Sequence, residues 1–104
     1  MANAFKIEKS TTGNAGRYVA RLDGVEGEAE LVFTIDGPGR ITADHTEAPA
    51  SMRGTGAASA LVEHMVADAR ASGFKIVPYC SYVVAQAKKH PEWRDVIVGP
   101  SSAS

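Results

Sequence analysis

The sequence predicts one α+β domain, a mixed and mainly antiparallel sheet with one long and one short helix. Three observations point there. The first half alternates short β-rich runs with turn residues and shows no 3.6-residue period. From about Thr55 the apolar spacing becomes that of a helix. A short apolar run then follows the helix, and its strand must run parallel to a neighbour across it. A length of 104 residues suits one core that needs no disulfide or metal staple. Residues 1–98 are expected to form this domain, and residues 99–104, GPSSAS, to be a disordered tail.

The first strand is assigned to residues 5–9, followed by a turn over 11–16 and a second strand over 17–22. Asp23-Gly24 is a hairpin signal leading to 28–35, where Ala29, Leu31, Phe33 and Ile35 share one face and Glu28, Glu30 and Thr34 the other. The turn residues of 36–39 deliver the chain into a fourth strand over 40–46. Ala58, Leu61, Val62, Met65, Val66 and Ala69 then form one helical stripe, and Gly73 supplies the left-handed residue that ends it. Residues 74–79 read as the buried parallel strand. Ser81 is expected to cap a short helix running from Tyr82 to about Lys89, ahead of Pro91.

Eleven basic residues stand against twelve acidic ones, a net charge of −1, so no broad field gathers phosphate backbones or anionic lipid. Nucleic acid and membrane are therefore not expected partners. The start, MANAFK, lacks a basic segment followed by an apolar run, and a single cysteine, Cys80, favours a reducing compartment; a cytoplasmic protein is expected. His45, His64, His90 and Cys80 show no zinc-ligand spacing, so no metal is expected.

The stretch PASMRGTGAASALV sets an arginine and a glycine-rich turn directly before the long helix. Such a helix start points free N–H groups and positive dipole outward, which suits phosphate. Gly54 and Gly56 let backbone approach phosphate oxygens, and Arg53 can add a charge-assisted contact. A Walker loop is disfavoured because alanines follow the glycine, and the dinucleotide fingerprint fails at its third glycine.

The spacing Arg53-x-x-Gly56-x-Ala58 resembles the pyrophosphate loop of the GNAT superfamily of acetyl-CoA-dependent N-acetyltransferases. HTEAPASMRGTGAASALVEHMVADARASGFKIVPYCSYV followed by HPEW is similar to a small single-domain branch of it, and the likeness covers residues 45–93. The resemblance implies a truncated GNAT fold whose fourth and fifth strands splay apart around the cofactor's pantetheine arm. It implies a fourth-strand edge over residues 44–48, with Thr46, Glu47 and Ala48 as cofactor contacts, and a pyrophosphate cradle of Met52, Arg53, Gly54, Thr55, Gly56, Ala57 and Ala58. Lys88 or Lys89 would meet the 3′-phosphate. The helices that cover the acceptor site of larger relatives have no counterpart here, so the acceptor side is expected to be open.

The same resemblance makes Cys80, at a Pro-x-Cys turn, a candidate acyl carrier, although Ser81 and Tyr82 stand where the branch often has Pro and Phe. Tyr82 would otherwise protonate the departing CoA thiolate. His45 and Glu47 are candidates to accept the ammonium proton; they are expected on opposite faces of the strand end, so that only one faces the cleft. His90 is read as a helix-end residue and Trp93 as core. The expected activity is acetyl transfer from acetyl-CoA to an amine, a small molecule or a protein, by direct attack or through Cys80. The alternative is a coenzyme A-binding module without turnover. A monomer or weak homodimer is expected.

Overall fold

The computed structural model describes residues 5–98; the tail expected at 99–104 lies outside them. The elements run β1 (Phe5–Thr12), β2 (Ala15–Leu22), β3 (Ala29–Ile35), β4 (Arg40–Glu47), a 3-10 turn (Ala50–Met52), α1 (Ala57–Ser72), β5 (Lys75–Pro78), α2 (Ser81–Lys89) and a second 3-10 turn (Pro91–Asp95). They build one five-stranded sheet in the order β1-β2-β3-β4-β5. The first three pairings are antiparallel and β4–β5 is parallel, as the sequence requires of two strands joined through a helix.

Period-two alternation decides which side chains enter the core. Tyr18, Ala20, Ala29, Leu31, Phe33, Ile41, Ala43 and Ile76 face α1 and are all buried. The helix answers with Ala57, Leu61, Val62, Met65, Val66 and Ala69. The buried stripe thus begins at Ala57 and not at Ala58, which is half-buried at the helix mouth. Gly73, at φ 84°, closes the helix as expected. The opposite sheet face is polar and laced by cross-strand ion pairs, Arg17–Glu30 at 2.9 Å and Arg21–Glu28 at 2.7 Å.

Several boundaries differ from the sequence reading. The turn assigned to 11–16 is a two-residue hairpin through Gly13 and Asn14, with Thr12 opposite Ala15. β-Branched Thr11 and Thr12 continue the ladder, while Gly13 takes the left-handed conformation, φ 63°. β4 runs on to Glu47. The cap of α2 is Cys80, and Ser81 is its first helical residue. After α2 the 3-10 turn buries Trp93, and Ile97 then bridges Ile76 in parallel, covering the edge of β5 away from β4. His90 caps α2 through its N–H to the Ala87 carbonyl, and its ring stacks on Trp93 with centroids 4.2 Å apart.

A polar clasp fastens β1 and β2 to α1. The Tyr18 hydroxyl and Lys9 Nζ both donate to Asp68 Oδ2, at 2.7 and 2.8 Å, and Ser72 donates to Oδ1 at 3.3 Å. Burial alone would push the Asp68 carboxyl up, but the hydrogen bonds from Lys9 and Tyr18, the Lys9 charge and Ser72 hold it below the ordinary carboxylate value. Burial, then Asp68, pushes the Tyr18 phenol up, so it remains a donor. Because the folded carboxyl titrates below the unfolded one, near 3.9, its stabilisation is complete above that value and fades as pH falls through the folded value. Asp68→Asn is expected to lower stability at pH 7 and to flatten the loss of stability below about pH 4. Urea melts from pH 7 to 2 check this, and equal pH slopes in both proteins would refute it. Among the described residues no helix is long and apolar enough to cross a membrane.

Candidate functional site

The two parallel strands stay paired only from Arg40 opposite Lys75 to Ala43 opposite Pro78. There the Ala43 carbonyl accepts two N–H groups, those of Tyr79 and Cys80, at 3.0 Å each. One local cause ends the ladder. Val32 faces His45 while Phe33 faces Ala43, so Asp44 is an extra residue that bends β4 away, its carboxylate held by the Thr34 hydroxyl at 2.7 Å. Residues 45–47 are consequently paired to β3 alone, and a gap opens between β4 and the start of α2.

Beyond the gap, the chain turns into α1 through Gly54 and Gly56, at φ 80° and 87°. An added Cβ at either would meet nothing within 4 Å, so the backbone conformation, and not crowding, calls for glycine. Thr55 braces the turn: its N–H and hydroxyl donate to the Met52 carbonyl at 3.2 and 2.6 Å, and its Oγ1 accepts the Ala57 N–H at 3.3 Å. Among the described residues, the N–H groups of Gly54, Gly56, Ala58 and Ser59 have no protein partner. These four amides fit a diphosphate. Exposed Arg53 makes no ion pair among the described residues, whereas the Met52 side chain is core and anchors the loop from beneath.

Cys80 sits in the gap wall, 9% exposed, with Sγ 3.5 Å from Thr46 Oγ1. Burial pushes the thiol up, but the Thr46 hydroxyl and the amides of Val83, Tyr82 and Thr46 outweigh it, so the thiol titrates below its ordinary value. The resting sulfur closes no capping hydrogen bond to α2. Tyr82 is half-buried on the first turn of α2. Burial raises its phenol, the Ser59 hydroxyl works against that, and the charges of Glu63 and Cys80 add to the rise. Tyr82 is thereby kept protonated.

His45 and Glu47 share a face, contrary to expectation, because residues two apart on a strand point the same way. Both are exposed on the face away from α1, and ligand atoms of Glu30, His45 and Glu47 all lie within 4.8 Å of one another. Thr46 takes the inner face opposite Leu31, which is how its hydroxyl reaches Cys80. Ala48, half-buried, packs against the core. Lys88 and Lys89 are exposed on the last turn of α2, and no hydrogen bond or ion pair brings either to the α1 start. The sequence reading gave Thr46 only a backbone role and missed Ser59 and Glu30. For Glu30 a signal existed, since its alternation already put it on the polar face.

A family profile described as GCN5-related N-acetyl-transferase matches residues 17–96. The fold is shared with a GCN5-like candidate N-acetyltransferase from Staphylococcus aureus whose solution structure was solved by NMR: 24% identity, 88% of each chain covered, TM-score 0.61. No curated protein sequence matches significantly.

Proposed function

The chain belongs to the GCN5-related N-acetyltransferase family, and from that premise we propose that it transfers acetyl from acetyl-CoA to an amine across the β4–β5 gap. The observation that carries this reading is the set of unpartnered amides at Gly54, Gly56, Ala58 and Ser59, lying just past a strand edge that is also unpaired. In this reading the amides, with Arg53 at the rim, hold the diphosphate. The free edge at Thr46, Glu47 and Ala48 pairs with the pantetheine amides. Lys88 and Lys89 are the candidate contacts of the 3′-phosphate. The thioester supplies the activated acyl group, and placing an amine beside it supplies most of the rate through proximity and fixed dipoles.

The amine nitrogen attacks the thioester carbonyl carbon, the carbon–sulfur bond breaks, and the thiolate takes a proton. Tyr82, held protonated, is assigned as that proton's source; His45 and Glu47, on the outer face beside the gap, are assigned to receive the proton of the incoming ammonium. Direct attack is the default route. Cys80, with its thiolate favoured, is the alternative carrier.

Coenzyme A at a hundredfold excess over its dissociation constant is expected to add about 2.7 kcal/mol of stability. No rise in melting temperature at millimolar coenzyme A would remove the reading. Amine-dependent thiol release from acetyl-CoA separates turnover from binding alone. Cys80→Ala is expected to keep most of that activity; complete loss, together with an acetylated mass of the parent protein, would move the mechanism to the acyl-enzyme.

A further inference from the structure

We infer that β1 is a docking edge for a second copy of this chain, which adds its own β1 antiparallel to the first about a twofold axis through Ile7. The two edges of the sheet are unlike. Beyond β5 the chain covers itself, with Ile97 bridged to Ile76 and the Val98 N–H donated to the Ile76 carbonyl at 2.8 Å. At the other edge, β1 pairs with β2 alone among the described residues. Its register with β2 is regular from Phe5 to Thr12, and neither a bulge nor a proline blunts the open side.

Hydrogen-bond phase fixes what that edge presents. The Ile35 N–H donates to the Asn14 carbonyl, so even-numbered residues of β2 bond to β3 and odd-numbered ones to β1. The latter face Lys6, Glu8, Ser10 and Thr12, which leaves the N–H and C=O groups of Phe5, Ile7, Lys9 and Thr11 directed outward. In an antiparallel self-pairing odd residues must therefore face odd ones, and this puts both copies of α1 on the same side of the joined sheet. Charge then selects the register. Centred on Lys6, Glu8 or Lys9, the pairing sets a charge against its own image. Centred on Ile7, it sets Lys6 opposite Glu8 twice on the polar face, and no other register does so. Lys6 has no ion pair among the described residues, and Glu8 has only a loose one, to Arg21 at 3.9 Å. Lys9, a residue type that commonly guards an open edge, is drawn back onto Asp68. On the core face Phe5 and Ile7 are only half-buried, so the contact of Ile7 with its image at the axis adds apolar burial.

One strand pair makes a small interface, so sedimentation velocity from about 10 μM to about 1 mM is expected to show the parent passing from monomer to dimer. Glu8→Lys and Lys6→Glu each turn two attractive pairs into two repulsive ones. Either change is expected to weaken the dimer at least about tenfold, and the two together to restore it. Both side chains are exposed, and urea unfolding checks that the variants fold. Backbone hydrogen exchange by NMR reads the phase. With rising concentration the Phe5, Ile7 and Lys9 amides are expected to exchange more slowly, while those of Lys6 and Glu8, already bonded to β2, do not change. A parent that stays monomeric at about 1 mM would overturn the proposal. So would a dimer that both single reversals leave intact, or a double variant as monomeric as the single ones. β1 lies at the far edge of the sheet from the β4–β5 gap, so none of these outcomes bears on acetyl transfer, and all the variants are expected to respond to coenzyme A as the parent does.

Discussion

Ala58→Asp is expected to make the free protein more stable while depriving it of its response to coenzyme A. The first turn of α1 carries no acidic residue, its cap Gly56 offers no side chain, and the Ala58 and Ser59 amides are without partners among the described residues. A carboxylate there meets the positive end of the helix dipole, worth about 0.3–1 kcal/mol, or a few degrees of melting temperature in a domain of this size. The same charge occupies the amides assigned to the diphosphate and repels it. The dissociation constant of coenzyme A should rise at least about tenfold, a loss of about 1.4 kcal/mol. Ala58→Asn provides the neutral comparison. Differential scanning fluorimetry with and without coenzyme A reads both effects, and a stabilised variant that responds to coenzyme A as the parent does would place the diphosphate elsewhere.

Gly16→Ala is expected to damage the fold itself. Gly16 sits on β2 opposite Phe33 of β3, and a Cβ added to it would lie 2.4 Å from Phe33 Cζ and 2.6 Å from Cε1. Phe33 is 1% exposed and packs on the Tyr18 ring with centroids 5.2 Å apart, so it has little room to withdraw. Overpacking of this kind costs about 1–3 kcal/mol, or roughly 10 °C of melting temperature at the middle of that range. Gly16→Ala combined with Phe33→Leu should recover part of the loss, because the clash and its relief involve the same atoms. A single variant within about 0.5 kcal/mol of the parent in urea unfolding would show that the ring yields freely.

The glycine at position 16 marks where reading the chain alone stops. In sequence it stands among turn residues, in a run of Gly and Asn that signals a loop. Only the pairing of β2 with β3 shows that its missing side chain makes room for an aromatic ring. The same limit explains His45 and Glu47: the strand period puts them together, but Glu30, whose carboxylate lies within 4.8 Å of their ligand atoms, comes from another strand. Cys80 was legible as a residue at a helix start. Its neighbour Thr46 was not, since the bulge at Asp44 sets which side chain of β4 turns inward.

Local order along the chain determined a good deal by itself. The alternation of the first half, the apolar stripe of α1, Gly73 as its end and the Arg53-to-Ala58 loop before it follow from stereochemistry acting over a few residues, where the physics is local and spacing records it. Tertiary structure alone decided that β4 and β5 part after Ala43, that four amides stay unpartnered at the α1 start, and that Glu30 faces Glu47. Each of these depends on register between segments distant in sequence, and register is set by the simultaneous packing of the core, which no short window of sequence contains.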